Sequence, residues 1–258
     1  EEEPGLKNIK YKKKFNFLKN KNEIKNYDVI FFTYDTPLVR DSGKPDLSII
    51  NKNLKKIYST KFDKKINLFI TSQVYPGFTD KIITMYKNEM INTIYFVDTL
   101  KMGIAQKSFL NPDQLIFGSN HNCVDLIREI FRKFKCKKYF LNIKEAELIK
   151  ISINLYLFFS VSFSNMLDDM AKKKNINFNQ ILNLLKNDPR IGKHAYIQPS
   201  LGMAGGHLER DLFYFKKLSS NPLTSKILSL IVNFNDKRKE ILENELVNFR
   251  NKKIILIG

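Results

Sequence analysis

Residues 27–34 read YDVIFFTY, a run of β-branched and aromatic residues interrupted only by Asp28 and stopped by Thr36 and Pro37. A run without polar alternation reads as a strand covered on both faces. The same punctuation recurs on its C-terminal side. Residues 46–59 read as a helix with Asp46 or Ser48 near its start. Residues 66–72 form a second strand, followed by a turn at Pro76–Gly77 and a helix through Met90. Shorter strands follow at 92–97 and 114–118, then an amphipathic helix at 121–134, and 138–143 closes the series. Buried strands separated by helices indicate an α/β fold with a parallel sheet covered on both faces.

The second half changes character. From 146 to 174 the pattern is one long helix, apolar nearly all round. A second helix covers 178–186, with Asn177 placed to cap it. A loop rich in Gly and Pro follows at 188–206, then a helix from Leu208 and a long amphipathic helix at 225–249. Residues 253–258 (KIILIG) read as a strand that starts and stops. The whole is an α/β unit followed by an all-helical one built on a long central helix.

The composition narrows the function. Of 258 residues, 44 are Lys or Arg and 26 Asp or Glu, a formal charge of +18. That charge invites a nucleic-acid reading, but 37 of the 44 basic residues are Lys. Nucleic-acid surfaces favour the planar fork of Arg, and Lys here travels with Asn and Ile. The charge is read as solvated surface, with no specific nucleic-acid partner. The uncharged stretch 151–167 carries too many Ser and Asn for a lipid-facing span, so no membrane partner is expected. Cys123 and Cys136 lack CxxC spacing and a nearby His pair, which argues against structural zinc.

Two places concentrate chemistry. Lys150 and Asn154 stand four apart, on one face of the predicted long helix. They read either as a lysine snorkelling at a helix end or as an ammonium and a carboxamide aimed together at a substrate oxygen. In 188–211 (DPRIGKHAYIQPSLGMAGGHLERD), Gly202, Gly205 and Gly206 allow close backbone approach to a ligand. His207 and Asp211 are four apart at a helix start, within reach of an acid–base pair. Arg190 stands at the front of the loop. So many polar types in one irregular segment favour a site over a plain surface turn.

These segments resemble the UDP-glucose/GDP-mannose dehydrogenase family. Residues 3–6 resemble its EPGL, and 28–37 (DVIFFTYDTP) its DVIFIAVGTP. Residues 72–79 (SQVYPGFT) resemble STVPVGTT, 111–118 (NPDQLIFG) resemble NPDRIVIG, and 146–154 (AELIKISIN) resemble AELIKYAAN, with Asn165 matching a later Asn. Residues 190–211 align without gaps to RIG…NPSFGYGGSCFPKD. The resemblance implies an NAD-dependent oxidoreductase that oxidises a nucleotide sugar, of UDP-hexose type, at C6. The protein would be cytoplasmic and homodimeric, with a place in polysaccharide biosynthesis. It further implies a chain truncated at both ends: the later part of an NAD-binding Rossmann-like domain (1–144), hence a partial Rossmann-type parallel sheet, then a helical central dimerisation domain with a long central helix (145–250), and the first strand of a C-terminal nucleotide-sugar domain (251–258). The GxGxxG loop of such proteins is not in this sequence.

By the same resemblance, Lys150 and Asn154 bind the oxygen at the reacting carbon, and Asp211 helps to activate water. Arg190 reaches a substrate across the dimer interface, and Tyr196, Ser200 and Gly202 belong to the sugar-binding loop. Thr36, Pro37, Gln73 and Arg210 fall on the cofactor side. Asp98 stands where the family has a Glu near the reacting carbon, and Met102 replaces a second Glu. The largest departure is His207, which occupies the position of the catalytic Cys. A thiolate there would attack the C6 aldehyde on the way to the acid; an imidazole does so poorly. Oxidation that stops at the aldehyde is therefore expected, with His207 acting as base; His207 activating water on an aldehyde hydrate would instead carry the sugar on to the acid. The alternative is a non-catalytic nucleotide-sugar-binding or assembly homologue.

Overall fold

The computed structural model describes residues 21–39, 42–101, 103–203, 205–249, 252, 253 and 255. The motif at 3–6 and Met102 lie outside these residues, as does most of the strand expected at 253–258. The chain divides into two compact units, one up to Ile151 and one from Ser152.

The first unit is a five-stranded sheet in sequence order: β1 (Val29–Phe32), β2 (Ile66–Ile70), β3 (Ile91–Phe96), β4 (Gln114–Ser119) and β5 (Lys137–Leu141). Helices α1 (Ser48–Tyr58), α2 (Phe78–Tyr86), α3 (Ala105–Leu110) and α4 (Val124–Ile130) lie between strands. Alternation along the strands fills two cores. Leu68, Ile70, Tyr95 and Ile116 join Ile50, Leu54 and Ile82 of α1 and α2 on one face. Phe69, Ile94, Phe96 and Phe117 join Ile127 and Phe131 on the other. Both faces of β2, β3 and β4 are covered, as their apolar runs require, whereas β1 leaves Phe31 exposed.

The expected all-parallel sheet is corrected at one pairing. β1–β2, β2–β3 and β4–β5 are parallel, but β3 and β4 are antiparallel, with Tyr95 opposite Gly118. An apolar run reads the same in either direction, so the residues of 92–97 and 114–118 do not fix which way β4 runs beside β3. β1 is also shorter than its apolar run, because it is an edge strand among the described residues and Phe31 is exposed.

Helix α5 (Ile143–Lys173) begins in the first unit and continues into the second. The second unit adds α6 (Phe178–Asn187), α7 (Gly206–Leu218) and α8 (Pro222–Val247). Asn177 caps α6 through the Asn179 amide. α8 starts three residues earlier than its amphipathic pattern: Asn221 Oδ1 accepts from Leu223 N at 2.9 Å, and Pro222 takes the first helical position, where its missing N–H is harmless. Among the described residues α5 alone has the length and apolarity to cross a membrane. Its buried positions nevertheless include Ser164, Asn165 and Asp168, which suit a helix packed in protein rather than in lipid.

Candidate active site

In the first unit the candidate residues gather at the carboxyl ends of β1, β2 and β3, the edge where open α/β sheets bind ligands. Thr36 is fully buried, and its hydroxyl donates to the Gln73 carbonyl at 2.7 Å. Ser72 Oγ donates to the Tyr34 carbonyl at 2.6 Å, and Tyr95 Oη donates to the Ser72 carbonyl at 3.2 Å. These bonds splice the loops that leave β1 and β2, so Thr36 and Gln73 come side by side while Pro37 stays exposed. The carboxyl ends of adjacent parallel strands are where open α/β sheets take a dinucleotide, and Thr36, Pro37 and Gln73 stand on the loops that leave β1 and β2 there.

Asp98 leaves β3 at the same edge. Its carboxylate accepts from the Leu100 amide at 3.0 Å, and its backbone carbonyl accepts from the ammonium of Lys150. Lys150 is half-buried and turned to a strand end. One turn before it, Glu147 is fully buried and accepts from Gly77 N at 2.5 Å and Thr79 N at 2.9 Å. This carboxylate closes the first turn of α2, whose start has no cap from its own loop. Burial pushes Glu147 up to about 7, against the downward pull of the Thr79 and Gly77 hydrogen bonds.

In the second unit Asn154 Nδ2 donates to Asp211 Oδ2 at 2.6 Å, and Asp211 is fully buried. The neighbouring Arg210 is also buried, and its guanidinium meets Nδ1 of the exposed His207. Gly205 starts α7 at φ +120°, a conformation that L side chains rarely adopt. The loop before it is held by side chains from two helices. Ser200 N donates to Asn165 Oδ1 at 2.7 Å. Asn235 takes both backbone groups of Met203, accepting from N at 2.6 Å and donating to O at 2.9 Å. At Gly202 a Cβ would stand 2.9 Å from Lys239 Cγ, so α8 and the loop approach closely there.

Arg238 completes the hold. Its Nε donates to the Ser200 carbonyl at 2.9 Å, and its other nitrogens to the Asn165 carbonyl, Asp168 and Asp169. Burial raises the Asp168 carboxyl, but the hydrogen bonds and charges of Lys172 and Arg238 outweigh it and hold it below its usual range. Arg190 and Tyr196 are not drawn into this network. Arg190 pairs with Asp188 at 2.7 Å, which holds that carboxyl low, and Tyr196 is exposed.

The sequence reading missed Glu147, Asp168, Asn235 and Arg238. A signal existed for two of them. Asp168 is the first charge after seventeen uncharged residues, and Glu147 is a carboxylate among apolar neighbours at the start of that helix. Asn235 and Arg238 carry only the weak signal of a shared helix face.

Comparison with known proteins gives this geometry a lineage. The NAD binding domain of the UDP-glucose/GDP-mannose dehydrogenase family matches residues 2–135, and the central domain of that family matches 144–237. The chain is 26% identical over 248 residues to UDP-glucose 6-dehydrogenase of Rickettsia bellii, covering 92% of this chain and 56% of that protein. It is 32% identical over 197 residues to the Campylobacter jejuni UDP-glucose 6-dehydrogenase, covering 74% of this chain and 47% of that one. A UDP-glucose dehydrogenase structure from Pyrobaculum islandicum shares the fold, with a TM-score of 0.74 at 20% identity over 90% of this chain and 55% of that one. The chain thus spans about half the length of the curated relatives it matches. With both domain models matched in order along nearly its whole length, it belongs to the UDP-glucose/GDP-mannose dehydrogenase family.

Proposed function

We propose that the complete protein is a cytoplasmic, NAD-dependent dehydrogenase that oxidises a nucleotide sugar of UDP-hexose type at C6 and stops at the aldehyde. The observation that carries this reading is the pairing of Asn154 with the buried Asp211, one helical turn beyond His207. A carboxamide and a carboxylate in mutual contact are fixed in direction before any ligand arrives. Thr36, Pro37, Gln73 and Arg210 are the residues assigned to the cofactor side. NAD, when bound, supplies the hydride acceptor. Lys150 and Asn154 hold the oxygen that changes charge as the hydroxyl becomes a carbonyl, and Asp98 and Asp211 are the carboxylates available to take its proton. Tyr196, Ser200 and Gly202 hold the sugar, on a loop that Asn165, Asn235 and Arg238 keep in place.

The reaction ends at the aldehyde because no thiol occupies the position of His207. The two cysteines belong to the aromatic core of the first unit and supply no substitute. That absence also favours a second reading, a homologue that binds the nucleotide sugar without turnover. NADH formation by the complete protein with a panel of UDP- and GDP-sugars separates the two. Lys150→Ala should lower the rate about a hundred- to a thousand-fold, as loss of one donor to a developing oxyanion does. Tight sugar binding with no NADH from any sugar would favour the second reading.

The partner proposed besides the substrate is a second copy of the chain. On α5 Tyr156, Phe159, Phe163, Met166 and Met170 are exposed, at spacings of three and four residues. This is the apolar seam that helix pairing buries. Arg190 would then serve the neighbour's substrate. Sedimentation of Phe163→Asp should show a monomer where the parent is a dimer; a parent that stays monomeric at high concentration would refute the dimer.

A further inference from the structure

His207 is the second residue of α7, and Arg210 lies three residues on, along the same face. The Arg210 guanidinium is buried and meets the ring at Nδ1. A guanidinium only donates, so Nδ1 must be the acceptor and the ring proton must sit on Nε2. A doubly protonated ring would set one N–H against another. The positive end of the α7 dipole also disfavours a cation there. His207 is exposed, so its outward edge carries an N–H and no lone pair.

A base or a nucleophile needs an outward lone pair; a hydrogen-bond donor needs an outward proton. We propose that His207 is a neutral-imidazole donor to the aldehyde oxygen, or to the alkoxide oxygen that precedes it, and that Arg210 is the positioning residue that fixes its tautomer. This rests on the function proposed above and changes the role of one residue in it. The position then binds the carbonyl product through a hydrogen bond and forms no covalent adduct. A neutral imidazole at a helix N-terminus is a known way to polarise a carbonyl without a proton transfer. The proton released on alcohol oxidation goes to a carboxylate rather than to His207.

The direct test is nitrogen NMR of the ring on ¹⁵N-histidine-labelled protein, with His207 assigned by its loss in His207→Gln. The protonated nitrogen should be Nε2 at neutral pH. Arg210→Met, which removes the donor, should mix the tautomers, and Arg210→Lys, which keeps one, should restore the Nε2–H form in part. A ring protonated on Nδ1, or on both nitrogens, at neutral pH overturns the proposal. The kinetic arm compares His207→Gln, which keeps an N–H donor without basicity, with His207→Phe, which has neither. Both should lose activity, but the Gln variant should retain at least about tenfold more. Equal losses would mean a base or a nucleophile and overturn the donor role. A wild type that makes no NADH counts against the proposed function, whereas the tautomer is read from the NMR arm alone.

Discussion

The two units hold their candidate residues by opposite means. In the α/β unit, positions follow from where strands end: Thr36, Gln73 and Asp98 are set by β1, β2 and β3, and their principal contacts are to backbone carbonyls and amides. In the helical unit, positions follow from side chains. Asn165, Asn235 and Arg238 reach from α5 and α8 to hold a loop with little regular structure. A strand end survives most substitutions near it, because the ladder fixes it. A loop clamped by three polar side chains does not.

The sharpest way to break this contrast is Arg238→Ala. It removes four hydrogen bonds and leaves the buried Asp168 with Lys172 as its one cationic partner among the described residues. Removing one partner of a buried ion pair costs about 3–5 kcal/mol. Urea unfolding should show that loss in the helical unit alone, with the α/β unit's transition unmoved. Equal shifts in both would mean that the clamp is not local.

The units should also respond oppositely to pH. Glu147 is raised to about 7 in the folded protein, against an ordinary Glu value of about 4.3. Its stabilising contribution is full below the unfolded value and is lost as pH rises through about 7, by about 3–4 kcal/mol in all. Asp168 is lowered, so its contribution is present above its unfolded value and lost as pH falls through the lower folded one. Glu147→Gln should flatten the loss of stability between about pH 5 and 8. A slope unchanged in that variant would assign it to another group.

Smaller effects sharpen the same comparison. Asn235→Ala should cost about 1–2 kcal/mol and speed hydrogen exchange at the Met203 amide, leaving the amides of β2 protected. An Asn177→Ala variant loses a helix cap remote from the clamp and should cost only ~1 kcal/mol, with no change at Met203. If Asn177→Ala also speeds exchange there, the loop is held by the whole helical unit rather than by Asn165, Asn235 and Arg238.

This division also explains what was legible in the sequence. The strands of the α/β unit were readable because Phe69, Ile94 and Phe117 sit in unbroken apolar runs, and such runs report two-sided burial. The antiparallel pairing of β3 with β4 was not, because apolar runs such as 92–97 and 114–118 read alike in either strand direction. The candidate site was readable where it lay in a dense local segment, as with His207, Arg210 and Asp211. Its supports were not, since Arg238 meets Asp168 from 70 residues away and an exposed-looking helix face gave no hint of either partner. Lys150 was ambiguous for a related reason: its partner is a backbone carbonyl, which every residue has.

The central claim is that the position of His207 limits the oxidation to one step, and counting NADH per sugar consumed tests it most directly. With the complete wild-type protein and its preferred nucleotide sugar, one NADH per sugar is expected, with an aldehyde trapped by hydroxylamine. His207→Cys should raise the count towards two, as a thiol restores the covalent route to the acid. Two NADH per sugar from the wild type, with no trappable aldehyde, would contradict the account.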